Sequence, residues 1–239
     1  MRLMQFPYDD QLAGLVANDA TSIDDVVRIL QAVDALLDGT KDGLKWFNTL
    51  YLQVTLKVRG SGPTKFITDL DFKFADLYLT ALRGWLTGGG LPESWRILFE
   101  QRANARLARI QFALAGVNAH INRDLAVATV KTCSDSGLQV RHGTEEYREY
   151  TEINVILDTL IEQAKRELMV TLPGDALPGA DKVEQLVGAW GVAAARETAW
   201  VHAEILAAIA GDAALAGRFV DGLDGTAALA GKALLLVMV

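Results

Sequence analysis

The longest uninterrupted helical pattern runs from Ala103 to Cys133, and a helix of that length must pass through the middle of whatever the remaining chain builds around it. It contains no proline, and its apolar residues recur at spacings of three and four rather than two. Within it, Gly116-Val117-Asn118-Ala119-His120-Ile121-Asn122-Arg123-Asp124-Leu125 places Asn, His, Asn and Asp on an otherwise apolar rod. Burying such groups costs roughly 1–3 kcal/mol each unless partners meet them. The segment therefore serves structure, chemistry or both.

The rest of the chain points to helices packed on helices. Hydrophobic residues make up 51% of its 239 positions, Ala and Leu dominate, and Val, Ile and Thr rarely cluster. The expected fold is all-α, a single-domain bundle of about seven to nine helices around the central one. Residues 1–20 read as an N-terminal extension, 172–180 as a Pro- and Gly-rich internal connector, and 211–239 as less regular C-terminal helices. A net charge of −7 with no dense Lys/Arg run argues against a nucleic-acid partner, because phosphate neutralisation needs clustered cations. Cys133 is the sole cysteine, which leaves no intrachain disulfide; it reads as a small buried apolar residue rather than a nucleophile. The segment Met1 to Pro7 lacks the pattern of a signal peptide, and the apolar run Ala233 to Val239 is far shorter than the roughly 20 residues of a spanning helix. These features lead us to expect a soluble cytoplasmic protein with no membrane partner. Its tail should pack into its own core or against a partner, and a homodimer is possible.

Local signals divide the chain further. A helix is expected from Ile23 to Leu37, capped at Thr21 or Ser22 with Asp25 completing a capping box. A second covers Lys41 to Val58 and ends before Gly60-Ser61-Gly62-Pro63. A third starts at a Thr68 or Asp69 cap, turns Phe72, Ala75, Asp76, Leu79 and Leu82 inward, and stops at Gly88-Gly89-Gly90. Pro92 opens the next, anchored by Trp95, Leu98 and Phe99. Beyond a loop at Ser134 to Gly143, helices are expected over Glu145 to Leu168, Asp181 to Ile209, Ala213 to Gly222 and Thr226 to Met238.

Helical spacing puts His120 and Asp124 together on one face of the central helix, and Asn118 and Asn122 together on another. The first pair has two readings. In one, Asp124 orients an imidazole for proton transfer, since a His titrates near neutrality. In the other, the two are a satisfied buried pair that fixes packing. The second pair reads as hydrogen bonds that lock the helix, and Gly116 as a place where another backbone comes close. Tyr51 and Thr55, one turn apart, and Asp69 with Asp76 are candidates to line the same cavity, with Trp46 and Phe72 as aromatic wall. Asn154 lies in an inward stripe with Tyr147, Tyr150 and Leu157, placed to bridge to the polar segment. Arg196 is one turn from Trp200, within reach of a cation–π contact, and is also placed to hold an anionic oxygen. His142 and His202 read as peripheral. A metal at His120 and Asp124 would need two further ligands, and no His-x-x-x-His or Glu-x-x-His pair supplies them. No cofactor motif is present: there is no phosphate-cradling glycine loop, dinucleotide fingerprint or Gly-x-Ser-x-Gly elbow.

Gly116 to Leu125 resembles the hallmark Gly-Met-Asn-Ala-His-Ile-Asn-x-Asp-Leu of an uncharacterised bacterial all-helical domain family, with Val117 in place of the usual Met. The resemblance continues through Trp46-Phe47-Asn48-Thr49-Leu50-Tyr51, the Phe66 to Trp85 segment, Trp95, Asn154 and Arg196-Glu197-Thr198-Ala199-Trp200. It covers residues 20 to 210 and is weakest after Gly211. It implies the helical fold. Some relatives are associated with polyketide biosynthesis, so it also implies a cofactor-free ring-forming or epoxide-opening role, such as ether-bridge formation.

The resulting expectation is a small-molecule enzyme acting on an apolar substrate. His120, oriented by Asp124, would move the proton, with Tyr51 or Asp76 as a second acid or base, and Thr55, Trp46, Phe72, Asn154 and Arg196 would contact substrate. The rival expectations are a non-catalytic helical binding or assembly module and a metal-assisted hydrolase.

Overall fold

The computed structural model describes residues 6–169 and 191–236. The expected connector, the expected helix start at Asp181 and the last three residues lie outside them. Among the described residues every regular element is helical and none is a strand.

Helix starts follow local hydrogen-bonding chemistry. α1 covers Asp9–Leu15, and α2 covers Ile23–Leu36. Ser22 is the cap, its Oγ accepting the Asp25 N–H at 3.2 Å, but the expected capping box does not close on it: the Asp25 carboxylate accepts the Thr21 N–H at 3.2 Å, one residue before the cap. After α3 (Leu44–Gly60), α4 spans Lys65–Thr87, starting earlier than the Thr68 or Asp69 cap expected from sequence. The physical reason is Thr64, whose hydroxyl accepts the Ile67 N–H at 3.3 Å directly after Pro63 ends the preceding turn. Thr68 instead donates its hydroxyl back to the Thr64 carbonyl at 2.9 Å. Gly88 closes α4 with φ of 75°, a left-handed conformation suited to glycine.

α5 (Glu93–Glu100) follows Pro92 and buries Trp95, Leu98 and Phe99 completely. Residues 101–108 then form turns rather than the start of the central helix. Arg102 explains the detour: it is fully buried between Asp9 at 3.1 Å and Asp42 at 2.6 Å, which ties this turn to two other parts of the chain. The central helix proper runs from Arg109 to Asp135 as α6 (Arg109–Ala119), a π-helical turn (His120–Asp124) and α7 (Leu125–Asp135). α8 (Glu145–Glu152), α9 (Asn154–Met169), α10 (Val192–Ile209) and α11 (Ala213–Leu234) complete the described elements. α3, α5, α9 and α11 pack against α6, while α4 and α10 pack against α7, so the polar segment is central as expected.

The C-terminal region differs from its expected form. α11 is one helix through Gly217, Gly222 and Gly225, not two pieces. Glycines disfavour a helix interior by about 1 kcal/mol each, but tertiary hydrogen bonds hold this one. The Asp224 carboxylate accepts the Glu93 N–H at 2.7 Å and the Ser94 N–H at 3.1 Å, capping α5 from across the interface. Asn118 donates to the Ala227 carbonyl at 2.7 Å. The last described residues are tied back to the central helix: Gln111 Nε2 donates to the Leu234 carbonyl at 2.7 Å and the Leu236 carbonyl at 2.9 Å. Among the described residues, no helix is long and apolar enough to cross a membrane.

Candidate active site

The π-helical turn positions the pair. Here the Leu125 N–H reaches back five residues to the His120 carbonyl, which widens the coil for one turn. His120 Nδ1 then lies 3.2 Å from Asp124 Oδ2, and both residues are buried. Trp95 Nε1 donates to the same Oδ2 at 2.8 Å, and Arg123 Nη1 donates to Oδ1 at 2.6 Å. A carboxylate can only accept hydrogen bonds, so His120 must carry its proton on Nδ1 to bond Asp124. Nε2 is then left as an acceptor. It is buried and has no hydrogen-bond partner among the described residues. Burial holds the imidazole below its ordinary pKa, with Asp124 opposing the shift, so the ring is neutral at pH 7.

Aromatic rings hold the imidazole in place. Phe74 stacks on it at 3.4 Å between centroids, and the edge of Tyr51 meets it at 4.6 Å. Phe47 and Trp95 approach at 5.9 and 5.7 Å. His120 lines a predominantly apolar cavity that encloses about 750 Å³ including its mouth, between α3, α4, the central helix, α9 and α10. Tyr51, Asp71 and Arg196 are the other groups on its wall that carry charge or a hydroxyl.

All three are desolvated, Tyr51 and Arg196 being buried and Asp71 half-buried. The Tyr51 hydroxyl is buried without a partner among the described residues, and burial pushes its pKa well above the ordinary value, so it stays protonated. Asp71 makes no hydrogen bond or ion pair among the described residues. Desolvation pushes its pKa up to about 7 while the Arg196 charge pulls the other way, leaving a carboxyl that is partly protonated at neutrality. Arg196 donates from Nε to Asn154 Oδ1 at 2.7 Å and from Nη2 to the Tyr150 carbonyl at 2.7 Å, and its guanidinium carbon sits 4.0 Å over the Tyr150 ring.

Of the residues singled out from sequence, His120, Tyr51 and Arg196 meet at this cavity, with Asp124 directly behind His120. Asn154 sits one step back and bonds Arg196 rather than the polar segment. Arg196 stacks on Tyr150 rather than Trp200, because the α8–α9 junction brings that ring over the guanidinium. Thr55 is buried one turn from Tyr51 but is not part of the wall, and neither are Trp46, Phe72 and Asp76. Trp46 instead carries Arg109 over its ring at 4.6 Å, and Asp69 pairs with Lys65. Asp71 joins the site without having been singled out from sequence. Its signal is legible, since Ile67, Leu70, Asp71 and Phe74 recur at spacings of three and four, and a carboxyl in that stripe must face the interior.

The second polar pair has a structural job. Asn122 Nδ2 donates to Asn118 Oδ1 at 2.8 Å, which orients Asn118 toward the α11 backbone. Gly116 is needed because a Cβ there would lie 2.3 Å from the Phe47 ring; a ring, not a backbone, makes the close approach. Cys133 is buried and its thiol is pushed up to about 11, in keeping with an inert packing role. His142 is at the surface, bridging Glu197 and Glu204 at 2.8 Å each, and His202 lies away from the cavity on α10. Among the described residues, no three His, Cys, Asp or Glu side chains converge to hold a metal ion.

A family model described as a family of unknown function, DUF5995, matches residues 23–237. The chain belongs to this family. The matched span takes in every cavity residue and the whole polar segment. No curated protein and no solved structure matches the chain.

Proposed function

We propose that the protein is a small-molecule enzyme that works by cofactor-independent acid–base chemistry on an apolar substrate, closing a ring by intramolecular opening of an epoxide. The observation that carries this reading is the single cavity wall on which a neutral, Asp-oriented His120 with a free Nε2 and the partly protonated Asp71 occur together. A base held below its ordinary pKa and an acid pushed up to about 7 are in the protonation states that proton transfer at neutral pH requires.

The step balances without any co-reactant. His120 Nε2 takes the proton of a substrate hydroxyl as its oxygen bonds to an epoxide carbon. That carbon's bond to the epoxide oxygen breaks, and Asp71 protonates the departing oxygen. The product is an isomer of the substrate, and the imidazolium and Asp71 carboxylate reset by one proton exchange through solvent. Asp124 favours the charge that develops on His120, while Trp95 and Arg123 hold Asp124 in place. Apolar walls keep water from competing with the internal hydroxyl. The resemblance to relatives associated with polyketide biosynthesis supports ether-bridge formation in such a product.

The test is turnover of apolar hydroxy-epoxides, read as chromatographic conversion without mass change, in the wild type, His120→Ala, Asp124→Asn and Asp71→Asn, with folding checked by circular dichroism. Losses of about 10²–10⁴-fold are expected for His120→Ala. Unchanged turnover in both His120→Ala and Asp124→Asn removes this pair from the mechanism.

A further inference from the structure

Proton transfer leaves one strong feature of the cavity unused, the Arg196 guanidinium. It is only 6% exposed, yet its partners are neutral, namely an amide oxygen, a backbone carbonyl and an aromatic face. Among the described residues no carboxylate comes within ion-pair distance of it, and Nη1 has no hydrogen-bond partner. Isolating a cation in this way is costly, because burial removes water without supplying an opposite charge. The cost shows as a depressed pKa for Arg196, caused first by desolvation. Asp71, the one carboxyl on the same wall, is kept partly neutral by its own burial and compensates only in part.

A ligand can supply the missing charge. A guanidinium presents planar, forked donors that match a carboxylate, and a buried charge-assisted hydrogen bond is about twice as strong as a neutral one. The remaining walls, among them Leu50, Val54, Val58, Leu70 and Leu157, offer only apolar contact. They suit a hydrocarbon chain.

We propose that the cavity takes an amphiphilic monocarboxylate, its carboxylate seated on Arg196 and its chain lying along the apolar wall toward His120. This rests on reading the cavity as a small-molecule site. It adds the class of molecule that enters: a long-chain acid, with the reacting hydroxyl and epoxide carried along the chain away from the carboxylate.

Isothermal titration of the full chain with decanoate and with 1-decanol at neutral pH tests the inference. Decanoate is expected to bind the wild type roughly tenfold tighter or more. Arg196→Gln should abolish that preference while leaving decanol binding in place, and Arg196→Lys should restore part of it. The wild-type comparison needs no variant, so a misfolded Arg196→Gln leaves the test intact. Equal affinity for acid and alcohol overturns the carboxylate seat and spares the apolar cavity. Binding of neither overturns both.

Discussion

Trp95 Nε1 and His120 Nδ1 share one acceptor, Asp124 Oδ2, at 2.8 and 3.2 Å. Two elements distant in sequence, α5 and the π-helical turn, thus meet on a single oxygen atom. Trp95→Phe keeps an aromatic ring and removes the N–H. It is expected to lower stability by about 1–3 kcal/mol, because a buried carboxylate loses a donor, and to reduce turnover by freeing Asp124 from its position behind His120. Urea denaturation midpoints and turnover on the same preparations check both. A Trp95→Phe variant with wild-type stability would mean that this hydrogen bond carries no weight.

The raised pKa of Asp71 has a sign that can be measured. An unfolded Asp titrates near 3.9, whereas the folded one is pushed up to about 7 by burial. The folded state therefore holds this proton over a range where the unfolded state has released it. The contribution is fully present below about pH 4 and is lost as pH rises through about 7. The stability difference between wild type and Asp71→Asn should shift in favour of the variant across that window, in thermal melts at fixed ionic strength. Turnover should follow a bell, rising as His120 loses its proton below 6.5 and falling as Asp71 ionises near 7. A difference that does not change with pH would place the Asp71 carboxyl in water.

Gly116→Ala tests how the cavity wall is built. The added Cβ would lie 2.3 Å from the Phe47 ring, which also lines the cavity and approaches His120. Relief requires Phe47 to move. Overpacking of this kind costs about 1–3 kcal/mol, and the displaced ring should also weaken ligand binding. Calorimetric melting with and without decanoate separates the two effects. A stabilised Gly116→Ala variant would show that helix propensity outweighs the contact.

The division of the polar segment into an Asn118–Asn122 lock and a His120–Asp124 pair follows from helical periodicity alone, because spacing within one helix determines which side chains meet. The identity of their partners does not follow. Trp95, Tyr150 and Asp224 act through tertiary contacts whose geometry depends on how helices cross, and local spacing carries no record of that. The continuity of α11 is hidden for the same reason: its glycines predict breaks, and Asn118 and α5 prevent them. Asp71 is readable in principle, yet Asp69 and Asp76 stand out first, although they flank the inward stripe rather than belong to it.

The proposed chemistry depends on His120 being neutral, carrying its proton on Nδ1 and presenting an unprotonated Nε2 to the cavity. Nitrogen-15 NMR of the His120 imidazole at pH 7, before and after addition of decanoate, measures this directly. The expected result is a protonated Nδ1, an unprotonated Nε2, and an Nε2 resonance that shifts when the cavity fills. A ring protonated on Nε2, or an Nε2 resonance indifferent to the ligand, would contradict it.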